Sequence, residues 1–317
     1  LLFSGQACLA AGGGACNKRR ALKGLRFKMD SVLVLMAAPG SGAIGPDVIA
    51  AIRDLGGGAP HWLAPGEALE VESFARVPEL LAELKRLPID AATVSIDNRR
   101  KRLLVADMDS TMIHQECIDE LGAAAGAGQR IAAITARAMR GEIDFESALK
   151  ERVALLRGLE AEAITAVLRE RITLMPGGRA LVATMKAHGA HAALVSGGFT
   201  VFTSHVAQAL GFDEHRANTL LIANGALTGE VAEPILGQRA KLNSLRQLAL
   251  AHGLEPADAI AVGDGANDLD MLAEAGLGVA LHAKPHVQDG SLIRINHGNL
   301  TALLYLQGYR KAQFITP

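Results

Sequence analysis

Long apolar runs are missing from this chain. Glycine, proline or charge interrupts each one before it reaches spanning length, which excludes a transmembrane helix. Cysteine is nearly missing as well. The three present, Cys8, Cys16 and Cys117, are scattered and odd in number, so they exclude a disulfide framework and fit a reducing, cytoplasmic compartment. No charge of one sign dominates. The formal net charge is -1, which gives nucleic acid or an anionic membrane nothing global to bind. Aromatic residues make up only 3%, whereas half of the 317 residues are hydrophobic and alanine is abundant. That balance buries a core and favours helices, and the length favours two or three domains.

The first 28 residues are rich in glycine and alanine. Their basic cluster, Lys18, Arg19 and Arg20, follows the apolar run, the reverse of a signal peptide, so residues 1–28 read as a disordered leader. Residues 29–98 read as a small α+β unit. "SVLVLMAAP" is a strand and "GPDVIAAIRDLGG" a helix with a glycine stop. "PHWLAPGEALEVESF" is a turn and a strand, "VPELLAELKRLPID" a helix and "AATVSI" a strand. "DNRRKR", Asp97 to Arg102, is a polar linker.

Residues 99–317 follow a different pattern. "LLVA" is a fully apolar strand, as a covered parallel sheet requires. A helical block at about 113–185 is too long for a simple crossover and predicts a separate cap. The strands "HAALV", "AIAV", "GLGVAL" and "LIRINH" then alternate with helices, and Asn224-Gly225 marks a hairpin turn. The fold class is α/β, a Rossmann-like doubly wound parallel sheet with a helical cap inserted after its first strand.

In such sheets ligands bind beyond the carboxyl ends of the strands. "LLVADMDST" places Asp107 and Asp109 there, on the same side of the chain. One carboxylate can attack phosphorus while the other moves the proton, provided a cation or lysine offsets their repulsion. Asp264 in "GDGANDLDML" can complete a magnesium site of oxygens. Ser196 with Gly197 suits a phosphate, Lys241 can balance the anion, and Asn267 can donate to an oxyanion. Each segment also has an ordinary reading: a turn aspartate, a strand-to-helix turn, a solvated lysine.

Together and in this order, "LLVADMDST", "ALVSGG", Lys241 and "GDGAND" resemble the motifs of the haloacid dehalogenase-like phosphohydrolases, from about Leu103 to His297. Within that superfamily, "DMDSTMIHQECIDELG", the cap after it, "LMPGG", "VSGGFT" and "GDGANDLDML" look like the phosphoserine phosphatases. The resemblance implies Mg²⁺-dependent hydrolysis of O-phospho-L-serine, with Asp107 as nucleophile and Asp109 as general acid and base. It implies magnesium on the Asp107 side chain, the Asp109 carbonyl and the Asp264 side chain, with Asp268 in support. Ser196, Gly197, Lys241 and Asn267 would hold phosphate. Glu116 would meet the substrate ammonium and Arg152 its carboxylate, with Met139 and Phe145 as the apolar wall of a lid. Residues 29–98 resemble the ACT-like regions in front of some members, in a role of spacer, homodimer contact or amino-acid sensor. A close rival keeps the chemistry but takes another small phosphomonoester, such as phosphohomoserine, or transfers the phosphoryl group to an alcohol. A catalytically silent binding protein would lack Asp107, Asp109 or Lys241, and all three are present.

Overall fold

The structure is a computed structural model that describes residues 31–237 and 239–316. The leader expected over residues 1–28 lies outside them, as do Cys8 and Cys16. The described chain begins as a βαββαβ unit: β1 (Ser31–Ala37), α1 (Pro46–Asp54), β2 (His61–Ala64), β3 (Ala68–Glu72), α2 (Val77–Leu84) and β4 (Ile89–Ser95). Its strands pair antiparallel in the order β2-β3-β1-β4. The single strand expected over Pro60–Phe74 is a hairpin of two, reversed at Gly66, whose φ of +70° suits glycine.

The chain continues as β5 (Leu103–Ala106), α3 (Cys117–Ala124), α4 (Gly128–Met139), α5 (Phe145–Ala154), α6 (Ala161–Glu170), α7 (Gly178–Ala187) and β6 (His191–Phe199). Next come α8 (Thr200–Leu210), β7 (Glu214–Asn218), β8 (Leu220–Ala223), β9 (Ala226–Val231) and α9 (Ala240–Ala251). Last are β10 (Ala259–Gly263), α10 (Leu269–Glu274), β11 (Leu277–Leu281), α11 (Pro285–Gly290), β12 (Ile293–Ile295) and α12 (Ala302–Leu306). Six of these strands form one parallel sheet, ordered β12-β11-β10-β5-β6-β7. All four residues of β5 are buried because both faces are covered. Leu103 and Val105 join the core under α9 and α10, and Leu104 and Ala106 join the core on the other face. Strand β7, "EHRAN", carries no apolar run. It pairs as the sheet's edge and escapes a reading based on hydrophobicity.

Helices α3 to α6 form the cap. Backbone pairing of Ile113 with Leu174, and the bonds His114 N–H to Thr173 O and Met175 N–H to Met112 O, tie its two ends to the core as a narrow neck. Helix α7 packs on β6, α8 and α12, so it belongs to the core layer and the cap stops short of residue 185. The Asn224-Gly225 hairpin, with φ of 52° and 81°, stands apart from the main sheet. It leans on the cap through Gly158 N–H to Leu227 O and Leu227 N–H to Leu159 O.

The first unit is not loosely tethered. Leu33 and Leu35 of β1 face α1 and α2, while Val32, Val34 and Met36 join the same core as Leu303, Leu304 and Tyr305. Polar contacts close the seam. The Asp90 carboxylate accepts from the N–H groups of Asn296, His297 and Gly298, and Tyr305 Oη donates to Glu67 at 2.7 Å. The polar linker is itself anchored: Arg99 pairs with Glu70 at 2.7 Å, and Lys101 Nζ donates to Ala257 O. Among the described residues no helix is long and apolar enough to cross a membrane.

Candidate active site

The carboxyl ends of β5, β6 and β10 open into one crevice. β5 delivers Asp107, the first turn of α9 delivers Lys241, and the turn after β10 delivers Asp264, Asn267 and Asp268. Lys241 Nζ lies 2.8 Å from Asp107 Oδ1 and 2.6 Å from Asp268 Oδ1, and all three side chains are buried. Asp268 spends its other oxygen on the Gly265 N–H at 3.0 Å. Gly263 makes this turn fit, since a Cβ there would sit 2.3 Å from the Asp268 carboxyl carbon. Burial opposes the charge on Lys241, but the Asp107 and Asp268 carboxylates outweigh it and raise the ammonium pKa. Burial pushes Asp107 well above the usual carboxylate range, with Lys241 pulling the other way.

Asp109 stands beside this pair. Its Oδ1 accepts from the Cys117 N–H at 2.9 Å and its Oδ2 from Ser196 Oγ at 3.2 Å. Burial raises its pKa against these bonds. The approach depends on a missing side chain: a Cβ on Gly198 would lie 2.8 Å from Asp109 Oδ2. The Gly198 N–H donates to Ser196 Oγ at 2.8 Å and holds that hydroxyl in place. Ser110 follows at φ of 54°, a costly conformation for a non-glycine residue, and its hydroxyl reaches Glu116 at 2.7 Å.

Asp107, Asp264 and Asp268 bring carboxylate oxygens within 4.8 Å of one another. Burial and the nearby Asp268 push Asp264 up to about 6, and Thr111 Oγ1 donates to it at 3.3 Å. Three carboxylates with Asp109 beside them and one lysine among them leave an excess of negative charge. An all-oxygen donor set of this kind fits a hard divalent cation.

The cap supplies the opposite wall. Phe145, Ser196, Gly197, Leu236, Lys241 and Asn267 line a small pocket over the acidic cluster. Phe145 closes it tightly: a Cβ on Gly197 would meet its ring at 3.1 Å. Arg152 is half-buried. Burial lowers its pKa, while the charges of Asp119, Glu116 and Asp109 act in the opposite direction. It bonds Ala148 O at 3.2 Å and Thr135 Oγ1 at 3.4 Å. Burial of the carboxyl, followed by the charge of Asp109, pushes Glu116 up to about 7; the residue as a whole is exposed, so water screens much of this effect. Met139 lies at the edge of the cap. It ends α4 at 64% exposure and is not among the residues lining the pocket.

A family model described as haloacid dehalogenase-like hydrolase matches residues 104–273. The chain belongs to the haloacid dehalogenase-like hydrolases. It is similar to the phosphoserine phosphatase of Albidiferax ferrireducens, 47% identical over 210 residues, covering 65% of this chain and 89% of that one. It is 44% identical over 236 residues to the phosphoserine phosphatase of Streptomyces coelicolor, covering 74% of this chain but only 57% of that relative. A solved haloacid dehalogenase-family hydrolase of Salmonella enterica serovar Typhi superposes with a TM-score of 0.78 at 28% identity. That match covers 87% of this chain and 98% of the other.

What a reading of this hydrolase by sequence omits is the scaffolding of the site. Thr111 bonds Asp264, and it is the last residue of the "LLVADMDST" segment itself. Asn218 donates to Gly197 O at 2.9 Å and accepts from the Leu236 N–H at 2.8 Å, which fixes the phosphate-side loop. It sits at the end of the edge strand and no motif announces it. Burial and Asp109 push the Cys117 thiol far up, and this buried free cysteine serves Asp109 through both its thiol and its backbone N–H.

Proposed function

We propose that this hydrolase converts O-phospho-L-serine to L-serine and phosphate, the last step of serine biosynthesis, in the cytoplasm. The buried Lys241 bridge between Asp107 and Asp268 carries the chemical half of this reading. Lysine holds one Asp107 oxygen, aims the other at the pocket and offsets the charge of an arriving phosphate. Asp107 attacks phosphorus and becomes an aspartyl-phosphate as the serine oxygen leaves. Asp109, held above the usual carboxylate range, donates the proton that the leaving alkoxide needs, then takes one from the water that hydrolyses the intermediate. Ser196, the Gly197 N–H and Asn267 hold the phosphate oxygens. Magnesium is the cation proposed for the acidic cluster, held by the Asp107 side chain, the Asp109 carbonyl and Asp264. When bound it neutralises phosphate charge. Asp268, with both oxygens engaged by Lys241 and Gly265, supports the cluster from behind.

The cap carries the choice of substrate. Glu116 and Arg152 offer opposite charges near Asp109, a pairing that suits the ammonium and carboxylate of an amino acid. Two relatives at 44% and 47% identity bear the name phosphoserine phosphatase, which supports the same substrate. The narrow neck at Ile113 and Leu174 is where the cap would hinge, admitting water after the serine leaves. We read the βαββαβ unit before the core as ACT-like on the strength of its element order.

The test is phosphate release from phosphoserine, phosphohomoserine and sugar phosphates, with Mg²⁺ and with chelator. Phosphoserine is expected to dominate and chelation to abolish turnover. A different preferred monoester would overturn the substrate, and turnover that survives chelation would overturn the metal.

A further inference from the structure

We propose that a second cation site lies at the opposite pole of the sheet, built by His191, Glu214 and His252, and that it takes a divalent transition ion of the zinc class. His191 opens β6, Glu214 opens β7 and His252 follows the last turn of α9. One ligand atom of each lies within 4.8 Å of the other two. The two imidazole rings are 4.0 Å apart, centre to centre, and His191 Nε2 is 3.0 Å from Glu214 Oε1.

Both inner groups are held from behind. Arg216 Nη2 lies 3.3 Å from Glu214 Oε2, leaving Oε1 turned toward the histidine, and Arg216 is itself fixed by Gln247. On the far side of the His191 ring, Asp213 Oδ2 is 3.6 Å from Nδ1. Asp213 is fixed in turn by Lys186 Nζ at 2.7 Å and the Ala192 N–H at 2.9 Å. When an ion binds, the His191 proton resides on Nδ1, facing Asp213, and Nε2 presents its lone pair beside Glu214 Oε1. Closing the 3.6 Å gap to Asp213 would complete the carboxylate–histidine–metal relay that orients ligating imidazoles. His252 is exposed, so its ring can turn to bring the third donor in.

The donor chemistry sorts two ions between two poles. Imidazole with a single carboxylate suits zinc, cobalt or nickel, while the all-carboxylate cluster under the cap suits magnesium. The same elements join the poles. His191 is five residues from Ser196 along β6, and His252 is eleven from Lys241 along α9, roughly 16 Å in each case. An ion here would clamp together the distal ends of strands and a helix that carry catalytic groups at their other ends. Binding to the folded state alone raises its stability.

The experiment keeps the full chain in excess Mg²⁺ and titrates Co²⁺, read by visible absorption, then competes with Zn²⁺. Expected are visible bands saturating at one equivalent, their loss on adding Zn²⁺, and a Zn²⁺-dependent rise in Tm of several degrees. His252→Gln is expected to remove the bands and the Tm rise, with phosphate release in Mg²⁺ unchanged. Asp213→Asn is expected to weaken Co²⁺ binding by about 10- to 100-fold. Superimposable titrations of wild type and His252→Gln would overturn the site. So would the absence of a saturable signal, or Co²⁺ acting only by displacing Mg²⁺ and stopping turnover.

Discussion

On the core side of the cleft, the Lys241 side chain is 5% exposed and touches two carboxylates at under 3 Å. On the cap side, Met139 is 64% exposed and Arg152 finds Thr135 only at 3.4 Å. The first half is assembled before substrate arrives. Its charges are buried against one another, and their geometry is set by strand ends in a sheet covered on both faces. The second half is carried on helices joined to the core through a narrow neck. A buried lysine between two aspartates cannot move without leaving an unpaired charge, so the core fixes the chemistry. Charges on cap helices that keep access to water lose less by rearranging than a buried triad does, so the cap is free to open, select and close.

The sharpest way to break this contrast is Asp107→Asn. Turnover is expected to fall by at least about ten-thousandfold while circular dichroism stays native, because the nucleophile goes but the side chain's volume remains. Retained activity would assign the attack to another group. Lys241→Ala comes next. It leaves Asp107 and Asp268 buried and unpaired at neutral pH, so urea denaturation is expected to show a loss of about 3–5 kcal/mol along with lost activity.

Cap substitutions should act on substrate choice and leave stability nearly alone. Arg152→Ala is expected to lower kcat/KM for phosphoserine by about a hundredfold and to spare a generic aryl phosphate. Equal losses on both would remove the carboxylate clamp. Glu116→Gln is the mildest, at about tenfold, and it carries a pH signature. The Glu116 carboxyl is pushed up to about 7, so its anionic, ammonium-binding form fills as pH rises through that value. KM for phosphoserine in the wild type is therefore expected to fall across this range. The Gln variant should lose that step, and a step that persists would belong to a different group.

The same contrast explains what could be read in advance. "LLVA" announces a strand covered on both faces because nothing in it is polar, and the Asp-x-Asp that follows is conspicuous for the same reason. Asn224-Gly225 announces its turn because both residues accept positive φ. Edge strand β7 stays hidden, since a strand half open to water needs no apolar run, and Asn218 stays hidden with it. Met139, expected in the lid wall, ends α4 with most of its surface exposed, a degree of exposure that local pattern does not encode. The seam between the two units was equally silent. The alternate residues of β1 find their partners in α12, more than 260 positions away, a pairing that local pattern does not encode.

By itself, then, the chain's order of residues determined a parallel α/β core, a helical insertion, three polar segments at strand ends and a lysine on a helix between them, because burial and backbone periodicity act locally. Only the folded chain decided which of those groups share a charge. That Lys241 meets Asp107 and Asp268, that Gly198 leaves room for Asp109, and that the first unit shares a core with the last helix all depend on distances between remote segments. Electrostatics and packing are set by such distances, and the packing of the whole sheet sets the distances.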